Sequence, residues 1–134
     1  MKLLLVMFAL AAIAYFAQEA DAADKKRPMA VTDLYAFKRV ADPQISPDGT
    51  RVAYQVTTVD LAANKSSTSL WIAASDGKTP PKQLTNAVGK RDAHPRWSPD
   101  GSKILFESNR SGSSQLWVIG LDGGEATQIT DIST

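Results

Sequence analysis

The sequence contains no cysteine. That excludes a disulfide framework, a thiolate metal site and a thiol nucleophile, and it leaves no residue for a bacterial-type lipid anchor. Histidine occurs once, as His94, so any Ser-His-Asp triad would rest on that one imidazole. Gly-x-Ser-x-Gly occurs nowhere in the 134 residues, which removes the strand-to-helix elbow of a nucleophilic serine. An excess of either charge is missing too. Fifteen Lys and Arg face fourteen Asp and Glu, a net charge of +1, and this offers nucleic acid no electrostatic footing. The carboxylates of Asp48, Asp76, Asp100 and Asp122 stand singly in Asp-Gly turns, not in the clusters that bind hard cations. Asp122-Gly123-Gly124 is followed by no Gly-Lys-Ser/Thr, so it is not a phosphate loop. No catalytic, cofactor-binding or metal-ligating residue is therefore assigned, and no cofactor is expected. His94, directly before Pro95, is expected to make a structural hydrogen bond.

Long apolar runs are scarce as well. The single example, residues 3–17, holds 15 residues, short of the ~20 that a bilayer-spanning helix needs. Lys2 precedes it and Ala20-Asp21-Ala22 follows, the layout of a secretory leader cut after a small residue. Residues 1–22 are thus expected to be a signal peptide and the mature chain to begin at Ala23. The protein is then exported, periplasmic or secreted, with no stable membrane anchor. Residues 23–31, with Lys25-Lys26-Arg27 before Pro28, are expected to form a flexible, solvated linker.

What the chain does have is repetition. Pro95-Arg96-Trp97-Ser98-Pro99-Asp100-Gly101 echoes Pro43-Gln44-Ile45-Ser46-Pro47-Asp48-Gly49 at a spacing of 52 residues. Ser-Pro-Asp-Gly suits a type I turn: Pro pre-sets φ at the second corner and Gly takes the position after the Asp. Short apolar alternations follow, Arg51-Val52-Ala53-Tyr54 and Lys103-Ile104-Leu105-Phe106. Further landmarks match in order: Leu70-Trp71 with Leu116-Trp117, Asp76-Gly77 with Asp122-Gly123, and Gln83-Leu84-Thr85 with Gln128-Ile129-Thr130. The offset falls from 52 to 46 between the second and third strands. Six extra residues are therefore expected in the polar stretch Asp60 to Ser67, as a hairpin loop where insertion costs little.

In the second copy the strands are expected at 94–98, 103–107, 115–121 and 126–130, each bounded by turn residues. Four short antiparallel strands in about 40 residues make one propeller blade. Leu70-Trp71-Ile72 and Leu116-Trp117-Val118-Ile119 are apolar on both faces, as strands buried on both faces are. Trp71 and Trp117 are expected as core wedges between stacked sheets. Residues 32–41 form the one helical candidate. Thr32 is placed to cap, Leu34 and Phe37 share a face, and Asp42-Pro43 is expected to stop the helix. The expected fold class is all-β, with about two four-stranded antiparallel blades of a β-propeller over 42–134, preceded by the leader and one short helix.

With these residues in place the chain resembles the start of a serine peptidase of the prolyl oligopeptidase family, close to its acylaminoacyl-peptidase and dipeptidyl-peptidase-like members. The segment 33–40 followed by Asp42-Pro43-Gln44-Ile45-Ser46-Pro47-Asp48-Gly49 is similar to that family's approach to its first blade. His94 to Phe106, and Ser108-Asn109-Arg110 through Leu116-Trp117-Val118 to Glu125, resemble the blade that follows. The resemblance implies a non-catalytic propeller that gates a C-terminal α/β-hydrolase domain and restricts substrates to short peptides. That family's catalytic Ser, Asp and His have no counterpart in these 134 residues. The chain is accordingly expected to be an N-terminal fragment of a larger exported peptidase, with the hydrolase domain as its partner. The Ser-Pro-Asp-Gly repeat is shared with TolB-like periplasmic propellers, whose partners are proteins, and a fragment of such a binding propeller is the alternative.

Overall fold

The computed structural model describes residues 27–86 and 88–133. The expected leader, residues 1–22, lies outside them. The chain divides into two compact units, Met1–Ala30 and Val31–Thr134. Of the first, 27–30 are described and are exposed and irregular. Among the described residues no helix is long and apolar enough to cross a membrane.

The second unit is nearly all β. A single helical turn, α1 (Asp33–Ala36), leads into two four-stranded antiparallel sheets. The first blade is β1 (Arg39–Ile45), β2 (Arg51–Asp60), β3 (Lys65–Ala74) and β4 (Lys82–Gln83). The second is β5 (Asp92–Trp97), β6 (Lys103–Ser108), β7 (Gln115–Gly120) and β8 (Thr127–Gln128). Each sheet runs in chain order. The all-β, two-blade expectation holds.

The repeated turns are atomic copies of one another. Gly49 N donates to Ser46 O at 2.9 Å and Gly101 N to Ser98 O at 2.9 Å. Both glycines sit at positive φ, 73° and 69°, where a Cβ is costly. The Ser46 hydroxyl donates to Asp48 Oδ1 at 2.5 Å, and Thr50 donates to the same carboxylate through its N–H and its hydroxyl. Ser98, Asp100 and Ser102 repeat the pattern. These donors, the serine hydroxyl foremost, hold both Asp carboxyls down at about 2. They are turn-building groups, as their spacing suggested.

Three local expectations change. The helix covers 33–36 and not 32–41. Thr32 makes no side-chain cap, and Phe37 is already extended. Leu34 and Phe37 stay exposed, at 59% and 53%. So short a helix has little stability of its own, whereas Arg39, Val40 and Ala41 gain ladder partners in Thr57, Val56 and Gln55. Asp42-Pro43 therefore does not end a helix; it forms a bulge inside β1. Finally, the six extra residues of the first blade are not all loop. They lengthen the β2–β3 ladder by the pairs Thr57↔Thr68, Thr58↔Ser67, Val59↔Ser66 and Asp60↔Lys65, leaving a tip of Leu61–Asn64.

The core lies between the blades. Opposite residues of an antiparallel ladder share a face, so Ala53, Leu70, Ile72 and Leu84 form one face of the first blade. They meet Ile104, Phe106 and Ile119 of the second, with Trp97 and Trp117 at the margin. Trp117 is thus a wedge in this core, with its Nε1 buried and unpartnered. Trp71 points from the opposite, open face of the first blade, so the wedge expectation is met by Trp117 and not by Trp71.

Candidate functional site

The two first strands break register at the same place. Between Ala41 and Gln44, and between Ala93 and Arg96, two residues stand opposite one on the neighbouring strand. These are β-bulges, and each contains a proline that has no N–H to give to a ladder. The residue before each proline sits at positive φ, 49° at Asp42 and 56° at His94. Such backbone is uncommon for a residue with a side chain and costs of order 1–3 kcal/mol, a strain that clusters at functional positions.

The two bulges touch. His94 Nδ1 lies 3.3 Å from Asp42 Oδ2, and Arg96 Nη1 donates to the same oxygen at 3.0 Å. Gln44 Nε2 donates to Asp42 Oδ1 at 2.8 Å. Burial alone would raise the Asp42 pKa. The hydrogen bonds from Arg96, Gln44 and His94 outweigh it, and the net shift is downward. On the far side of the ring, Arg91 Nη2 donates to His94 Nε2 at 3.0 Å. An accepting Nε2 leaves the proton on Nδ1, which then donates to Asp42. The His94 backbone N–H donates to Gln55 Oε1 at 3.2 Å, and Trp97 Nε1 donates to Gln44 O at 2.9 Å, both across the blade boundary.

His94 is thus hydrogen-bonded on both ring nitrogens and joins the blades, which is the structural role its position suggested. The sequence reading gave Asp42 only the part of a helix stop and gave Arg96 no role. The signal was present: Asp42 and His94 are 52 residues apart, each before a proline, so the repeat puts them at equivalent points. The row Asp42, His94, Arg96 and Arg91 offers one carboxylate, one imidazole and two guanidiniums at a half-exposed surface. It can bind charged groups by hydrogen bonding. Among the described residues no serine hydroxyl is bonded to His94. Among the described residues no group of three or more His, Cys, Asp or Glu is arranged to hold a metal ion.

A second polar cluster is structural. Asp92, fully buried, accepts from the Ser108 hydroxyl at 2.6 Å and from Arg110 Nη2 at 2.7 Å. The Arg110 guanidinium stacks over Trp117 and Phe106 at 4.9 and 5.4 Å from their ring centroids.

Four-stranded blades joined by bulged, cross-linked first strands define a piece of a β-propeller. The chain belongs to the TolB beta propeller domain family, whose profile matches residues 18–133. It is 38% identical to the uncharacterized peptidase YuxL of Bacillus subtilis, over 80% of this chain and 16% of that protein. It is 35% identical to the Tol-Pal system protein TolB of Bordetella pertussis, covering 84% of this chain and 33% of that one. Among solved structures it superposes on the Pyrococcus horikoshii acylaminoacyl peptidase with a TM-score of 0.59 and 27% identity, over 75% of this chain and 15% of that one. The resemblance to the propeller portion of prolyl oligopeptidase-family peptidases holds. The chain spans less than a fifth of the length of either peptidase.

Proposed function

We propose that the chain is the N-terminal propeller portion of an exported serine peptidase that acts on short peptides. It carries no catalytic residue itself and gates access to a C-terminal α/β-hydrolase domain. The observation that supports this most is the 38% identity to a peptidase over four-fifths of the chain. The single turn of helix directly before the first blade adds to it. In a closed ring of blades around a central channel, the bulged first strands would stand side by side near the axis. Asp42, His94 and Arg96 would then line the passage with hydrogen-bonding groups for the charged ends of a peptide, and the ring would exclude folded proteins.

The reading is tested at the gene. The continuing frame should encode further blades, then Gly-x-Ser-x-Gly on a strand-to-helix turn, then an Asp and a His in that order. The 134-residue chain alone should take no label from a serine-directed fluorophosphonate, and stoichiometric labelling would refute its non-catalytic role. Export predicts a mature N-terminus at Ala23. A protein that retains residues 1–16 would overturn that part. The match to TolB over 84% of the chain favours a second reading, a binding propeller with protein partners. A frame that closes the propeller and stops without a hydrolase domain would establish it in place of the first.

A further inference from the structure

The groups that meet at the two bulges hold one another, and the bonds they make leave unlike atoms free. The acceptors are engaged. Asp42 Oδ1 accepts from Gln44, its Oδ2 from His94 and Arg96, and its side chain is only 21% exposed. Glu107 accepts from the Ser114 hydroxyl and faces Arg91 Nη1 at 3.6 Å. Both ring nitrogens of His94 are taken. The arginines differ. Arg96 uses Nη1 alone, donating to Asp42 Oδ2 at 3.0 Å and to Pro95 O at 2.7 Å. Among the described residues nothing accepts from its Nε or Nη2, and its side chain is 53% exposed. Those two nitrogens form the side-on edge of the guanidinium, whose parallel N–H groups fit the two oxygens of one carboxylate. Arg91 likewise spends Nη2 on the His94 ring and keeps its Nε–H.

The free edge also stands where a further blade would leave it open. Arg96 pairs with Leu105 and so springs from the face of β5 opposite the core, yet its guanidinium bonds Asp42 of the preceding blade. It therefore wraps around the edge of β5 that has no ladder partner. In a ring of blades around a central channel that edge turns to the axis. We propose that Arg96, with Arg91 on the other side of the His94 ring as a second cation, binds the carboxylate end of a short peptide. This rests on the peptidase reading and chooses between the two charged ends it allows. Donors remain in the row while its acceptors are engaged, so a carboxylate finds partners there and an ammonium does not. Asp42 and the Pro95 carbonyl hold the guanidinium in place beforehand, and little side-chain freedom is lost on binding. An acidic side chain presents the same two oxygens, so the test separates it from a chain terminus.

The test titrates the purified, isotope-labelled chain with tripeptides at millimolar concentration and follows the arginine Nε–H resonances by NMR. The first probe is Ala-Ala-Ala with an acetylated N-terminus and a free carboxylate. The second is the same peptide amidated, and the third is amidated with a central Asp. The free acid should shift the Arg96 Nε–H and the plain amide should not. Arg96→Gln should weaken binding of the free acid about tenfold or more. Arg96→Lys, which keeps the charge but loses the planar edge, should recover only part of that loss. Arg51→Gln, at an exposed arginine outside the row, should change nothing, and the backbone spectrum shows that each variant stays folded. Acid and amide binding alike would overturn the proposal, as would no binding by either, or an Arg96→Gln chain that binds like the wild type. An Asp peptide that binds while the free acid does not would overturn the chain terminus as the ligand. None of these results touches the peptidase reading, which the continuing frame decides separately.

Discussion

The two blades share a backbone plan but meet different surroundings, and their side chains differ where the surroundings do. At the outset of the β1–β2 ladder the first blade pairs Val40 with Val56; at the same point the second pairs Asp92 with Ser108. The second blade has a predecessor to pack against, so its carboxylate is sealed from water and must find partners within the protein. Ser108 and Arg110 supply them. The first blade has no predecessor in this unit, and its Val40 is exposed. The tryptophans tell the same story. Arg110 covers Trp117 from within its own hairpin, whereas Lys38, from the segment between α1 and β1, lies 5.9 Å from the Trp71 ring centroid. Unlike parts of the chain thus bring a cation to equivalent rings. A repeat conserves geometry more strictly than chemistry, because ladder hydrogen bonds are indifferent to the side chains they carry.

The largest expected effect breaks this comparison at its most asymmetric point. Arg110→Met leaves the buried Asp92 carboxylate without its cation and should cost about 3–5 kcal/mol in urea denaturation. Adding Asp92→Val and Ser108→Val copies the first blade's valine pair and should recover most of that loss. A single-variant loss no larger than that of a surface change would show the ion pair to be idle. Next come the turns, where the blades should behave alike. Gly49→Ala and Gly101→Ala each place a Cβ at positive φ and should each cost about 1–2 kcal/mol. A clear inequality would mean that the two turns are not equivalent.

A smaller effect is expected from deleting residues 59–64, which shortens the first hairpin to the length of the second. The ladder loses pairs, but Thr68 keeps its N–H bond to Lys90 O, and the change should stay near about 1 kcal/mol. A collapse of stability would make the long hairpin a structural support. The finest test is a carboxyl titration by NMR. Ser46→Ala and Ser98→Ala should move Asp48 and Asp100 upward from about 2 toward the ordinary value of about 3.9. Since folding lowers both pKa values, the stabilisation they bring is complete above about pH 4 and is lost as the pH falls through 2. Each variant should flatten that acid limb, and an unmoved titration would deny the serine hydroxyl its part.

How much of this was legible depended on the range of the interaction that decides it. Turn chemistry is local: Ser-Pro-Asp-Gly carries its own φ constraint, donors and acceptor within four residues, so both turns and the strands around them could be placed from sequence. The repeat spacing then implied stacked sheets and a core on both faces of the third strands. The short helix and the long hairpin were misjudged because both are settled by pairing. Arg39–Ala41 satisfy an equally good helical or extended pattern, and only the free edge of Gln55–Thr57 draws them into a strand. The repeat marks Asp42 and His94 as equivalent points, but Asp42 lies more than 50 residues from His94 and Arg96, and only the stacking of the blades makes the bulges touch.

The sequence by itself thus determined the turns, the number and order of strands, the lack of a nucleophile elbow and the apolar faces. Each follows from residue type and near neighbours. The tertiary structure alone decided which apolar face is covered and which is open, which carboxylate is buried with a guanidinium, and which bulges touch. Those outcomes depend on how one sheet is laid against the next, and a strand with two apolar faces does not say which of them finds a partner.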